Sequence, residues 1–103
     1  MTDALALHQD ALVIDSLVYH ADGWPDDLRA GDIDAIAVTA CHFECDFEQA
    51  CQEVARWQER FMAPDSQWMQ IETVADFDRA RAAGKLGAVL GWQNTRPIAD
   101  RLD

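Results

Sequence analysis

Apolar residues along this chain follow two rhythms, short nearly unbroken runs and stripes spaced by three and four. The runs are Leu12-Val13-Ile14, Ile33 to Thr39 and Leu86 to Trp92. Runs with little polar alternation suit strands buried on both faces of a parallel sheet. The stripes lie between them. Leu5, Leu7 and Ala11 follow Thr2, which the pattern predicts as a helix cap, with Asp3 near the positive end of the dipole. Pro25 opens a helical turn to Ala30, ended by Gly31. Phe47, Ala50, Cys51, Val54, Trp57, Gln58 and Phe61 mark the clearest helix, capped by Asp46 and stopped by Pro64. Gln67 to Ile71 supplies a short third strand. Thr73-Val74-Ala75-Asp76 reads as a capping box with Asp in place of Glu, and its helix reaches Ala83. Gly84 is placed to close that helix in the left-handed conformation, with Lys85 near its negative end. From Ile98 onward the pattern is again helix-like.

Helices alternating with strands imply right-handed crossovers and a parallel sheet. No repeat, linker or low-complexity tract divides residues 1–103, which read as a single domain. Four strands are half of an eight-stranded α/β barrel, a fold that needs about 250 residues. The expected fold is therefore the N-terminal portion of a TIM-type (β/α)8 barrel, truncated at its C-terminus. Leu86 to Trp92 would then be an open edge strand that invites self-association. Trp57, Trp68 and Trp92 would belong to an incompletely covered core.

Composition narrows the partners. Eight basic against nineteen acidic residues give a formal charge of −11, which repels a phosphate backbone and excludes nucleic acid. No uncharged run approaches the roughly 20 residues of a membrane span. Met1-Thr2-Asp3-Ala4 lacks the basic start of a secretion signal, so a cytoplasmic location is expected. Three cysteines are an odd number for a disulfide framework. Cys41 and Cys45 lack the second ligand pair of a structural zinc site, so Cys41, Cys45 and Cys51 are read as buried thiols filling core space.

Parallel α/β folds keep their working residues at the carboxyl ends of strands. That rule nominates Asp15, the segment Thr39 to His42, Gln93 and Asn94. His20 and Asp22, two residues apart, add a candidate metal pair. The competing structural reading of Asp15 is a carboxylate that bonds loop amides.

Three segments, "LVIDSLVYHADGWP", "LRAGDIDAIAVT" and "AGKLGAVLGWQNTRPIADRLD", together resemble the opening third of the membrane (renal) dipeptidases. The resemblance implies a zinc-dependent barrel hydrolase related to the amidohydrolases, with small peptides as substrates of the full-length protein. That family's Asp-x-His-x-Asp pattern, counted from Asp15, falls on Leu17 and Tyr19, whereas His20 and Asp22 offer the same pair three residues later. Gln93 stands where the family has a glutamate bridging two zinc ions. An amide supplies one neutral oxygen where a carboxylate supplies two and offsets a charge. The resemblance thus implies metal contacts at His20, Asp22 and Gln93, in a divergent branch carrying Gln for Glu. Gln93 is expected to point into the barrel mouth and bond neighbouring polar groups. The family's remaining ligands would lie beyond Asp103. The functional expectation is a fragment of a dipeptide-cleaving zinc metallohydrolase, inactive alone. A small non-catalytic α/β binding module, or a piece of a pseudoenzyme barrel, is the alternative.

Overall fold

A computed structural model describes residues 3–19 and 25–98. The elements are helix α1 (Ala4–Asp10), strand β1 (Ile14–Val18), α2 (Pro25–Ala30), β2 (Ala35–Thr39), α3 (Phe47–Met62), β3 (Trp68–Gln70), α4 (Val74–Ala82), β4 (Leu86–Gly91) and a 3₁₀ turn, Arg96–Ile98. The α/β alternation of the sequence is present, and every strand pairing is parallel.

The strand order is β1-β2-β4-β3. This corrects the expectation that the last strand lies at an open edge, because β4 bonds to β2 on one side and β3 on the other. The edges are β1 and β3. A barrel wound strand by strand sets each strand beside its predecessor, so only β1, β2 and β4 can serve as neighbouring staves here. The three-residue β3 flanks them. Close approach on this side depends on Gly87. A Cβ placed there would lie 2.9 Å from both the Ala35 Cβ and the Ile71 side chain.

The first strand starts later than the apolar run suggests. Val13 N–H donates to Asp34 Oδ2 at 2.8 Å and Val13 O accepts from the amides of Asp34 and Ala35, which moors the chain before the ladder begins. The ladder then starts with Ile14 opposite Ala35 and Asp15 opposite Ile36, and slips by one residue before Val18.

One face of the sheet carries the core. Val18, Ile36, Val38, Trp68, Leu86 and Ala88 pack there around Trp57 of α3, with Phe61, Leu28, Ile33 and Leu90 at the margin. Trp57 meets Trp68 edge-on, with centroids 5.4 Å apart at 84°, and the Arg60 guanidinium lies 4.3 Å from the Trp57 ring centroid. Trp57 and Trp68 are 3% and 5% exposed, so of the three tryptophans expected to be poorly covered only Trp92, at 46%, is open. Residues 100° apart on a helix face differently, and this decides the cysteines. Ala50 is buried on α3 while Cys51 is exposed, correcting the expectation of a buried thiol; Cys41 and Cys45 are buried beside Ala50.

The caps are local. Asp46 Oδ1 accepts from Gln49 N–H and Gln49 Oε1 accepts from Asp46 N–H, a reciprocal box that starts α3. Asp3, not Thr2, caps α1, accepting from Leu5 N–H at 3.0 Å; Thr2 lies outside the described residues. At α4, Asp76 Oδ2 accepts from the amides of Glu72 and Thr73, and Arg79 pairs with Oδ1. Gly84 closes α4 at φ 67°, the left-handed conformation the sequence led one to expect. No helix among the described residues is long and apolar enough to cross a membrane.

Two measurements check this account. Gly87→Ala should cost about 1–3 kcal/mol through overpacking, lowering the melting temperature by roughly 5–15 °C for a domain of this size. The backbone amides of Glu72 and Thr73 hold the Asp76 carboxyl down at about 2, against an ordinary value near 3.8. The stabilisation it gives is therefore complete above that ordinary value and lost as pH falls through about 2. Asp76→Asn should lower the melting temperature at neutral pH, with the deficit closing across that acid window.

Candidate functional site at the carboxyl rim

The ladders fix which residues share a rim. Thr39 sits opposite Gly91, and Ala40 N–H donates to Gly91 O at 2.9 Å. The segments leaving β2 and β4 therefore run side by side, and this brings the Thr39–His42 stretch together with Gln93 and Asn94. Gly84 lies at the opposite rim, where Arg29 Nη2 donates to its carbonyl at 3.1 Å.

Asp15 is not at this rim. Its place opposite Ile36 puts it near the amino end of the ladder, and its Oδ1 accepts from Leu17 N–H at 3.1 Å. The shift follows from the late start of β1 and supports the reading of Asp15 as a carboxylate serving local amides. His42 is exposed and its Nδ1 accepts from Glu44 N–H at 3.2 Å, so that nitrogen holds a turn. Asn94 is a strut. Its Nδ2 donates to Phe43 O at 3.0 Å and its Oδ1 accepts from Arg96 N–H, tying the two rim loops together. Gln93 is exposed and makes no hydrogen bond to another described residue, which corrects the expectation of an amide bonded to polar neighbours. Asn94 has taken the loop-holding bonds, leaving Gln93 to solvent.

His20 and Asp22 lie outside the described residues. Among those described, no group of three or more His, Cys, Asp or Glu side chains is arranged to hold a metal ion. Burial, helped by the adjacent Cys45 thiol, pushes the Cys41 thiol up to about 12. At neutral pH it stays protonated, the form that does not attack a carbonyl.

Two features of the rims escaped sequence reasoning. A cavity of about 290 Å³ opens between α3 and the carboxyl ends of the strands, with Gln58, Gln70 and Trp92 on its walls. The one signal for it was Gln58, a polar residue on an otherwise apolar stripe. At the amino rim a second cavity of about 260 Å³ gathers Arg29, Asp32, Asp34, Arg81 and Lys85. There Arg81 Nη2 donates to the carbonyls of Gln9 and Asp10, and Arg29 Nε donates to Gln67 Oε1. These bonds tie element ends together, as expected of a rim that serves stability.

Comparison with known proteins places this geometry. No family model matches the chain, and no curated protein sequence matches it. A crystal structure of an amidohydrolase from Pseudomonas aeruginosa superposes with a TM-score of 0.79 at 24% identity, covering 94% of this chain and 30% of that one. The chain thus spans less than a third of that protein's length and shares the α/β fold of that part of it.

Proposed function

We propose that this chain forms part of a dipeptidase-like metallohydrolase, supplying the first staves of its barrel and one sector of the active-site mouth. The observation that carries the reading is the fold likeness to an amidohydrolase over 94% of the chain but only 30% of the larger protein. Amidohydrolases cleave amide bonds, and the dipeptidase-like segments around Asp15, Arg29 and Gly87 narrow the proposed substrate to small peptides. The exposed Leu12, Ile14 and Leu17, on and beside edge strand β1, offer a surface for the rest of such a barrel or for a second copy.

Zinc is the metal proposed for the complete protein. The described residues of this chain do not fit a zinc site by themselves, since their carboxylates, imidazoles and thiols do not converge and Gln93 is a neutral amide. The ligands proposed from this chain remain His20 and Asp22. Its proposed share of the chemistry is positional: a rim strutted by Asn94, with the Gln93 amide free to hydrogen-bond a peptide group. The same glutamine supports the second reading, a non-catalytic relative, because it withholds the charge a bridging ligand supplies.

The chain with zinc should turn over no dipeptide faster than zinc alone, and calorimetry should find no tight stoichiometric zinc site. Gln93→Glu should tighten zinc binding by roughly tenfold or more, as an added ligand carboxylate would. A tight wild-type site abolished by His20→Ala would show that this chain assembles its metal centre unaided. An unchanged affinity in Gln93→Glu would remove Gln93 from the metal's surroundings.

A further inference from the structure

The cavity at the carboxyl rim can be read from its walls without reference to a metal. Ala40 and Leu90 form its floor, Val54 and Gln58 of α3 one side, and Gln70, Gly91 and Trp92 the remainder. A quarter of the chain is charged, yet none of these residues is. An ion entering would lose hydration and meet no opposite charge. The occupant must be neutral.

The two glutamines define its polar edge. Gln58 Nε2 donates to Gln70 Oε1 at 3.0 Å, which leaves Gln58 Oε1 to accept and Gln70 Nε2 to donate. Exchanging O and N in both amides leaves the same pair of roles, one acceptor beside one donor. Both side chains are half-buried, and neither makes another hydrogen bond among the described residues. An adjacent acceptor and donor complement a carboxamide, whose N–H and C=O lie side by side. Trp92, 46% exposed, adds a flat apolar surface. About 290 Å³ is at the small end of ligand cavities and holds a ring with one polar substituent.

We propose that this cavity binds a small neutral carboxamide with a flat apolar body, its amide paired with Gln58 and Gln70 and its ring against Trp92. The site stands outside the metallohydrolase reading and would survive its failure. It occupies the crevice beyond the carboxyl ends of parallel strands, where open α/β sheets take ligands.

Benzamide is the probe, with benzoate as its charged isostere, followed by ¹H–¹⁵N spectra of the Gln58 and Gln70 side-chain amides and the Trp92 indole N–H. Benzamide should give saturable shifts at these three groups with a Kd on the order of 1 mM. Benzoate should bind about tenfold more weakly or worse, because its charge would be left unpaired. Trp92→Ala, which removes the flat apolar wall, should weaken benzamide by about tenfold, read at the two glutamine amides. Trp92 lies outside the core, so its removal leaves the packing around Trp57 intact. Gln58→Leu, which keeps the wall but removes the acceptor, should weaken benzamide by about tenfold while leaving the remaining spectrum in place. The proposal is overturned if benzamide gives no saturable shift, if benzoate binds equally well, or if folded Trp92→Ala and Gln58→Leu both bind benzamide as tightly as the unaltered chain.

Discussion

The edge-on contact of Trp57 with Trp68 holds the assembly together. Strand β3 has three residues and could not keep its place by ladder bonds alone. The crossover α3 must pass from β2 over β4 and set β3 down beyond it, and Trp57 meets Trp68 where that crossing lands. Aromatic pairs of this geometry add about 0.5–1.5 kcal/mol beyond the area they bury. One position further along α3 and two along β3, Gln58 reaches Gln70. The same seating therefore closes the core and aligns the two amides of the rim cavity.

The two ends of the sheet carry different chemistry. The amino rim is laced by guanidinium groups: Arg29 reaches Gln67 and Gly84, and Arg81 spans from α4 to the carbonyls ending α1 while facing Asp34 at 3.6 Å. These links fix element ends, which explains Arg29 in the "LRAG" turn without invoking a ligand. The carboxyl rim is uncharged where its cavity opens and is held by amides, Asn94 to Phe43 and Gln58 to Gln70. Fixing one rim by charge leaves the other free to be shaped for binding, the division seen in barrel and open-sheet enzymes.

Helix α1 belongs fully to neither end. It buries no residue, with Leu5 and Leu7 about 60% exposed. Its ties are polar: the His8 Nε2–Gly31 O contact at 2.8 Å and the Arg81 bonds to Gln9 and Asp10. With the exposed Leu12, Ile14 and Leu17 it gives the β1 side an apolar surface among the described residues.

Features settled within a few residues were legible in the sequence. The Asp46 cap, the Asp76 capping box, the left-handed Gly84 and the parallel α/β alternation each follow from spacing and side-chain chemistry, because the bonds involved span one helical turn or one hydrophobic period. Tertiary structure decided what periodicity leaves open, namely which strand pairs with which. The order β1-β2-β4-β3 rests on the close approach of Ala35, Ile71 and Gly87, residues up to 52 positions apart. The late start of β1, which takes Asp15 off the rim, rests on Asp34 holding Val13 across 21 residues. The rim cavity needs α3, β3 and β4 together, so only the fold could show it. A sequence encodes which faces are apolar; long-range contact decides what each face meets.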